Sequence, residues 1–408
     1  MKTIAALLLF ACGASAADDK LPRAIFRQVI EINTTDSAGS TTAAAEAMKQ
    51  RFLDAGFPAA DLTIAGPDAR KGNLVVRLRA ANGNSLKPVL IICHLDVVEA
   101  RREDWTTDPF QFIEKDGYFY GRGTQDMKSN DAILVATLIR YKQEGFVPNR
   151  DIVLALTAGE ESGVANGVDW LLKNRRQLVD AEFVLNPDGG GVVTERGKPV
   201  NVDVEASEKI YADFALTARN KGGHSSLPVP DNAIYHIAGA LGKLEHSPFP
   251  FELNNVTRAY FEQMATLEKG QRGEDMKAIL RATPDPAAIA RLSADPRFNS
   301  TMRTTCVATR LNAGHANNAL PQSAEAIVNC RILPGHSPEE IQQELARIFA
   351  DPQVKIERAD AASSKKPMPP PPLRPDVFKA LKRVADEMWP GAPVIPEMET
   401  GASDSIYT

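Results

Sequence analysis

The sequence predicts an α/β protein with a mostly parallel sheet, carrying an inserted α+β domain. Three observations support this. Apolar, strand-like runs alternate with helical stretches up to about residue 188, the pattern of parallel βαβ layers. At 210–217, IYADFALT, the pattern changes to strict alternation, as in an antiparallel sheet with one wet face. The segment SSKKPMPPPPLRP (363–375) then interrupts the chain, because prolines remove backbone donors and stiffen a link.

In chain order, 20–57 reads as a helix, a loop around Thr34 to Thr42, and a second helix through Phe52. Strand-like runs follow at 73–78, 89–93, 152–157 and 183–185, separated by helical stretches at 131–144 and 168–178. Past the alternating run at 210–217 come helical segments at 232–244 and 260–267 and alternating strands at 305–311 and 324–333. Helices at 338–350 and 377–388 complete the reading. There is no internal repeat. The domains expected are a leader at 1–16, a first part at 17–205, an insertion at 206–364, and a return to the first domain at 365–408.

The chain has 408 residues, 43% of them hydrophobic, and a formal charge of −5. That length supports two cores. The mild acidity, without a basic stripe, leaves no footprint for nucleic acid. The N-terminus MKTIAALLLFACGASA combines Lys2, a short apolar stretch and a small-residue site at Ala14–Ala16. It reads as a secretory signal, and its apolar stretch is too short to span a membrane. The expectation is export to the periplasm or extracellular space. A lipoprotein signal on Cys12 is the rival, and Phe10 fits it poorly. Of the other cysteines, Cys306 and Cys330 sit in two strand-like runs. Two buried thiols or a disulfide both satisfy that placement in an exported protein.

The apolar run VLIIC ends in His94, with Asp96 two places on. Ligands of open α/β sheets gather outside such strand ends, and Asp96 is placed to accept the second imidazole N–H, as behind many metal-bound histidines. The pattern recurs. DIVLALTAGEESG ends a strand in Glu160 and Glu161, and AEFVLNPDGGG ends one in Asp188. Between them, Asp126 follows a glycine-rich turn, with Ser129 or Asn130 as expected helix caps. Each residue alone has a plain structural reading, as cap, turn or solvated surface. Together they bring His, Asp, Glu-Glu and Asp to one sheet edge, where unpaired carboxylates would repel. Divalent cations relieve that repulsion, and this donor set is zinc-like.

The motifs HLDVV, GRGTQDMKS, AGEESG and NPDGGG resemble the co-catalytic dizinc peptidase family of glutamate carboxypeptidase, aminoacylase and succinyl-diaminopimelate desuccinylase. The resemblance covers about residues 25–408. It implies a zinc-peptidase catalytic domain with an inserted lid and dimerisation domain, and a homodimer formed through the latter. It implies that His94 and Asp188 bind one zinc, Glu161 the other, and Asp126 both, with a cis peptide after Asp126. Asp96 would orient His94. Glu160 would be the general base, taking a proton from a water shared by two zinc ions, with Co or Mn as substitutes. The resulting hydroxide would attack an amide carbonyl. His224, in NKGGHSSLPVP, would stabilise the oxyanion across the dimer. Asn318 and Arg331 match the substrate-carboxylate region. His236, His246, His315 and His336 match no ligand position.

The implied activity is hydrolysis of a peptide, as carboxypeptidase or dipeptidase, with N-acyl amino acid deacylation as the alternative. A non-catalytic binding protein on the same scaffold is the other class, and an intact Glu160 argues against it. The family places one more histidine on the second zinc, well after a segment like ETGASDSIYT. Here no histidine follows His336. The resemblance therefore implies a C-terminally truncated catalytic domain, short of one ligand and expected to be inactive as it stands.

Overall fold

A computed structural model describes residues 20–81, 85–162, 165–359, 369–370 and 372–408. The leader with Cys12, and the 364/365 boundary with most of the proline-rich segment, lie outside the described residues. The chain forms two compact units that divide after Asp188. No described helix is long and apolar enough to cross a membrane.

The first unit begins with α1 (Lys20–Ile30) and α2 (Thr41–Asp54). Ile25, Phe26, Val29 and Ile30 form one buried stripe on α1, the spacing of a helix laid on a core. Ser40 starts α2, its hydroxyl accepting from Ala43 N–H. Then come β1 (Leu62–Ala65), β2 (Asn73–Leu78), β3 (Val89–His94), the short hairpin β4 (Ile113–Lys115) and β5 (Tyr118–Tyr120), and α3 (Lys128–Gln143). β6 (Ile152–Thr157), α4 (Gly167–Asn174), α5 (Arg176–Val179) and β7 (Phe183–Leu185) complete it.

The sheet order is β1-β2-β6-β3-β7. Only β2 runs against the others, antiparallel to both β1 and β6, while β3 lies parallel to β6 and β7. The sheet is thus mostly parallel, as predicted. β3 and β6 are buried along most of their length, which suits strands covered on both faces. Leu74, Leu154 and Leu156 meet Val29, Met48, Phe52 and Val135 in one core. The register pairs His94 with Thr157, so β3 and β6 end together at one edge.

The second unit opens with β8 (Gly191–Glu195), β9 (Lys198–Glu208), β10 (Ile210–Arg219) and β11 (Gly223–His224). Helices α6 (Ala233–Glu245), α7 (Asn255–Leu267), α8 (Gln271–Ile279), α9 (Pro286–Ser293) and α10 (Pro296–Thr301) follow. The remainder is β12 (Thr305–Ala313), β13 (Ala319–Leu320), β14 (Ser323–Ile332), α11 (Pro338–Phe349), β15 (Lys355–Arg358), α12 (Pro375–Met388) and β16 (Val394–Glu399).

An antiparallel sheet of order β12-β14-β10-β15 matches the expected alternation. Ile210, Ala212, Phe214, Leu216 and Ala218 point into a core with Ile237 of α6 and Leu345 and Phe349 of α11. The intervening residues face the other side. A disulfide joins Cys306 to Cys330, which stand directly opposite on β12 and β14. A separate cluster, with Tyr260, Phe261, Met276, Ile279, Leu292 and Phe298, holds α7 to α10 together. Sequence patterning missed α8, α9 and α10, which are short helices of six to nine residues.

The division after Asp188 lies apart from the expected ones at 205/206 and 364/365. β16 lies parallel to β9 and β8 antiparallel to it, so residues 191–208 and 394–399 share a sheet.

Candidate metal centre

His94 closes β3 and is 2% exposed. Its Nδ1 lies 3.0 Å from the main-chain carbonyl of Asp96. A carbonyl only accepts, so the neutral ring carries its proton on Nδ1 and keeps a lone pair on Nε2. This corrects the expected role of the Asp96 carboxylate, whose Oδ1 is 3.9 Å from Nδ1. Its two oxygens instead accept the backbone N–H groups of Glu160 at 3.2 Å and Glu161 at 3.0 Å. The cause lies in the ladder. Leu95 N–H still bonds Thr157 carbonyl, so Asp96 follows the last rung between β3 and β6 and lies beside the turn that carries Glu160 and Glu161.

The GRG turn delivers Asp126. Gly123 has φ 85°, and a Cβ there would meet Val97 Cγ1 at 2.9 Å. The Asp126–Met127 peptide is cis. Met127 is buried, and its Sδ accepts His94 N–H at 3.3 Å. Helix α3 starts at Lys128, so Ser129 and Asn130 are inside its first turn rather than capping it. Asn130 Nδ2 donates to Pro187 carbonyl at 2.8 Å, holding the loop that carries Asp188.

One ligand atom each from His94, Asp126 and Glu161 lies within 4.8 Å of the others. His94 Nε2 is 3.0 Å from Asp126 Oδ1 and 3.6 Å from Asp188 Oδ1. Burial pulls the His94 pKa down, but Asp126 and Asp188 outweigh it and raise it well above the usual value. Burial first, then the negative field of Asp126, pushes the Glu161 carboxyl up. Two carboxylates facing one imidazole nitrogen favour a positive charge between them, whether a proton or a metal ion. Imidazole plus carboxylates is also a suitable donor set, so these residues fit a metal.

Two supporting residues escaped the sequence reading. Asn73 opens β2, is fully buried, and spans Ala65 carbonyl and Ala158 N–H at 2.8 and 2.9 Å. It steadies the chain just before Glu160. The ammonium of buried Lys128 donates to the carbonyls of Val29 and Ile32 at 2.8 and 2.9 Å, tying the cis-peptide loop to the end of α1. A polar residue opening an apolar strand, and a lysine beside Asp126, were the available signals.

In the second unit, His224 and Asn318 meet on a two-stranded ribbon. β11 pairs with β13, and Ser225 N–H bonds Asn318 carbonyl at 3.0 Å. Ser226 backbone N–H donates to His224 Nδ1 at 3.2 Å, and Ser226 Oγ lies 2.7 Å from the same atom. An acceptor Nδ1 places the neutral ring's proton on Nε2. Arg331 stands on the open face of the four-stranded sheet, its guanidinium 4.8 Å from the Tyr211 ring centre. Among the described residues no carboxylate forms an ion pair with it. The other histidines are elsewhere. His236 sits between Asp351 and Asp231, and His336 against Glu252.

A histidine and converging carboxylates at the edge of a mostly parallel α/β sheet define the class of metal-dependent hydrolase folds. More specifically, residues 90–408 match Peptidase family M20/M25/M40, and the chain belongs to that family. It is 30% identical over 330 residues to the N-fatty-acyl-amino acid synthase/hydrolase PM20D1 of Xenopus tropicalis, covering 79% of this chain and 63% of that relative. It is 31% identical over 265 residues to carboxypeptidase S of Saccharomyces cerevisiae, covering 60% and 45%. The chain thus spans less than two thirds of the length of these curated relatives. In fold it is similar to the M20 family metallo-carboxypeptidase Sso-CP2 of Sulfolobus solfataricus, with TM-score 0.67, 17% identity, and 95% and 87% of the two chains covered.

Proposed function

We propose that the protein hydrolyses an amide bond with bound zinc, acting as a carboxypeptidase or dipeptidase. The observation that carries this is the meeting of His94, Asp126, Glu161 and Asp188 at one sheet edge. His94 Nε2 and Asp188 would hold one zinc, Glu161 a second, and Asp126 both. The bound metal supplies Lewis acidity toward the carbonyl and toward water. Glu160 takes a proton from the attacking water and passes it to the leaving nitrogen. Asp96 fixes the backbone of Glu160 and Glu161 through two hydrogen bonds. Across a pair of copies, His224 offers Nε2–H to the oxyanion that develops in the other copy's site, because Ser226 occupies Nδ1. Asn318 and Arg331 bind the substrate, Arg331 through its carboxylate. We further assign residues 206–364 to a lid through which two copies pair, and an export signal to residues 1–16.

The test is Glu160→Gln. It should leave metal content unchanged and lower kcat by on the order of 10²-fold or more. Turnover near that of the wild type would refute the role of Glu160. N-acyl amino acid hydrolysis is the second reading, favoured by the 30% identity to a relative named for that chemistry. Paired dipeptide and N-acyl amino acid substrates, assayed with added Zn²⁺, separate the two.

A further inference from the structure

We infer that Tyr211 and Asp213 are positioning residues that keep the Arg331 guanidinium open to a substrate carboxylate. The inference rests on the reading of Arg331 as the carboxylate anchor. Tyr211 stands directly opposite Arg331 in the β10–β14 register, and Asp213 directly opposite Asn329. All four side chains therefore share the open face of the sheet.

Two contacts divide the work on that face. The Tyr211 ring lies under the guanidinium, 4.8 Å from its carbon, which sets the plane of the fork. The Tyr211 hydroxyl donates to Asp213 Oδ2 at 2.6 Å, and Asn329 Nδ2 donates to Asp213 Oδ1 at 2.8 Å. Both Asp213 oxygens thus have a donor that is not Arg331.

That matters because Asp213 is the built-in competitor. It is the diagonal cross-strand neighbour of Arg331, a separation of roughly 7–8 Å that long side chains bridge. An Asp–Arg pair there would neutralise the anchor and fill its fork. Tyr211 blocks the pair twice, by holding one Asp213 oxygen and by stacking the guanidinium away from it. A ring without a hydroxyl would keep the stack and lose the restraint.

The test is binding of N-acetyl-L-leucine and of its primary amide, measured by calorimetry on the full chain loaded with Zn²⁺. Wild type should bind the acid at least about tenfold more tightly than the amide, the scale of a hydrogen-bonded charge pair. Arg331→Ala should abolish the preference. Tyr211→Phe should lower it several-fold, and adding Asp213→Asn to Tyr211→Phe should restore it, since the amide cannot compete for the guanidinium. Tyr211→Ala should lose it more fully. If Arg331→Ala abolishes the preference while Tyr211→Phe keeps it, the positioning role is refuted and the anchor stands. If Arg331→Ala leaves the preference intact, the anchor itself is wrong and this inference falls with it.

Discussion

Lys209 joins β9 to β10 and is fully buried. Its ammonium donates to Arg303 carbonyl at 2.7 Å, Ser300 Oγ at 3.2 Å and Thr305 Oγ1 at 3.4 Å. Burial first, then the positive fields of Arg331 and Arg303, push its pKa down to about 7. The unfolded chain holds that proton until a pH of about 10.4. Between these values the unfolded state binds more protons than the folded state, so stability rises with pH. The charge penalty is complete below about pH 7 and vanishes as pH passes about 10.4. Integrated from pH 7 to pH 9, this one group contributes a gain of about 2 kcal/mol. Lys209→Met keeps the length and removes the titration. It also loses three hydrogen bonds, a cost that does not depend on the charge. Urea unfolding of both proteins at pH 7, 8 and 9, followed by circular dichroism, reads the difference. Wild type should gain about 2 kcal/mol on the mutant across that range. Parallel stability curves would show that Lys209 stays charged throughout, and the argument from its burial would fail.

Two further outcomes follow from the packing. Removing the Cys306–Cys330 disulfide, which closes a separation of 24 residues, by a double change to Ala should cost about 3 kcal/mol, read as a lower urea midpoint. Asn73→Ala should orphan the buried Ala158 N–H and take a partner from the half-buried Ala65 carbonyl. That costs about 1–3 kcal/mol for each group left unmatched, and metal titration should show weaker binding as the Glu160–Glu161 turn loosens. A mutant with wild-type stability would mean that the strand end holds without Asn73.

The sequence alone determined the apolar strands that lead to His94, Glu160 and Asp188, because an apolar run that stops at a polar residue stands out. It also determined the alternating sheet of the second unit, where a period of two is imposed by one buried face. Tertiary structure decided the rest. Short α8 to α10 bury their apolar faces on one another, so none carries a long periodic signal. Which atom of Asp96 meets His94 depended on where β3 ends beside β6, a pairing between residues some sixty positions apart. Lys128, Lys209 and Asp131 read as surface charges in a linear sequence, yet all three are fully buried, and burial pushes Asp131 up to about 7. The Lys128 and Lys209 ammonium groups are held inside by acceptors that the fold brings to them, and those acceptors lie more than ninety positions along the chain.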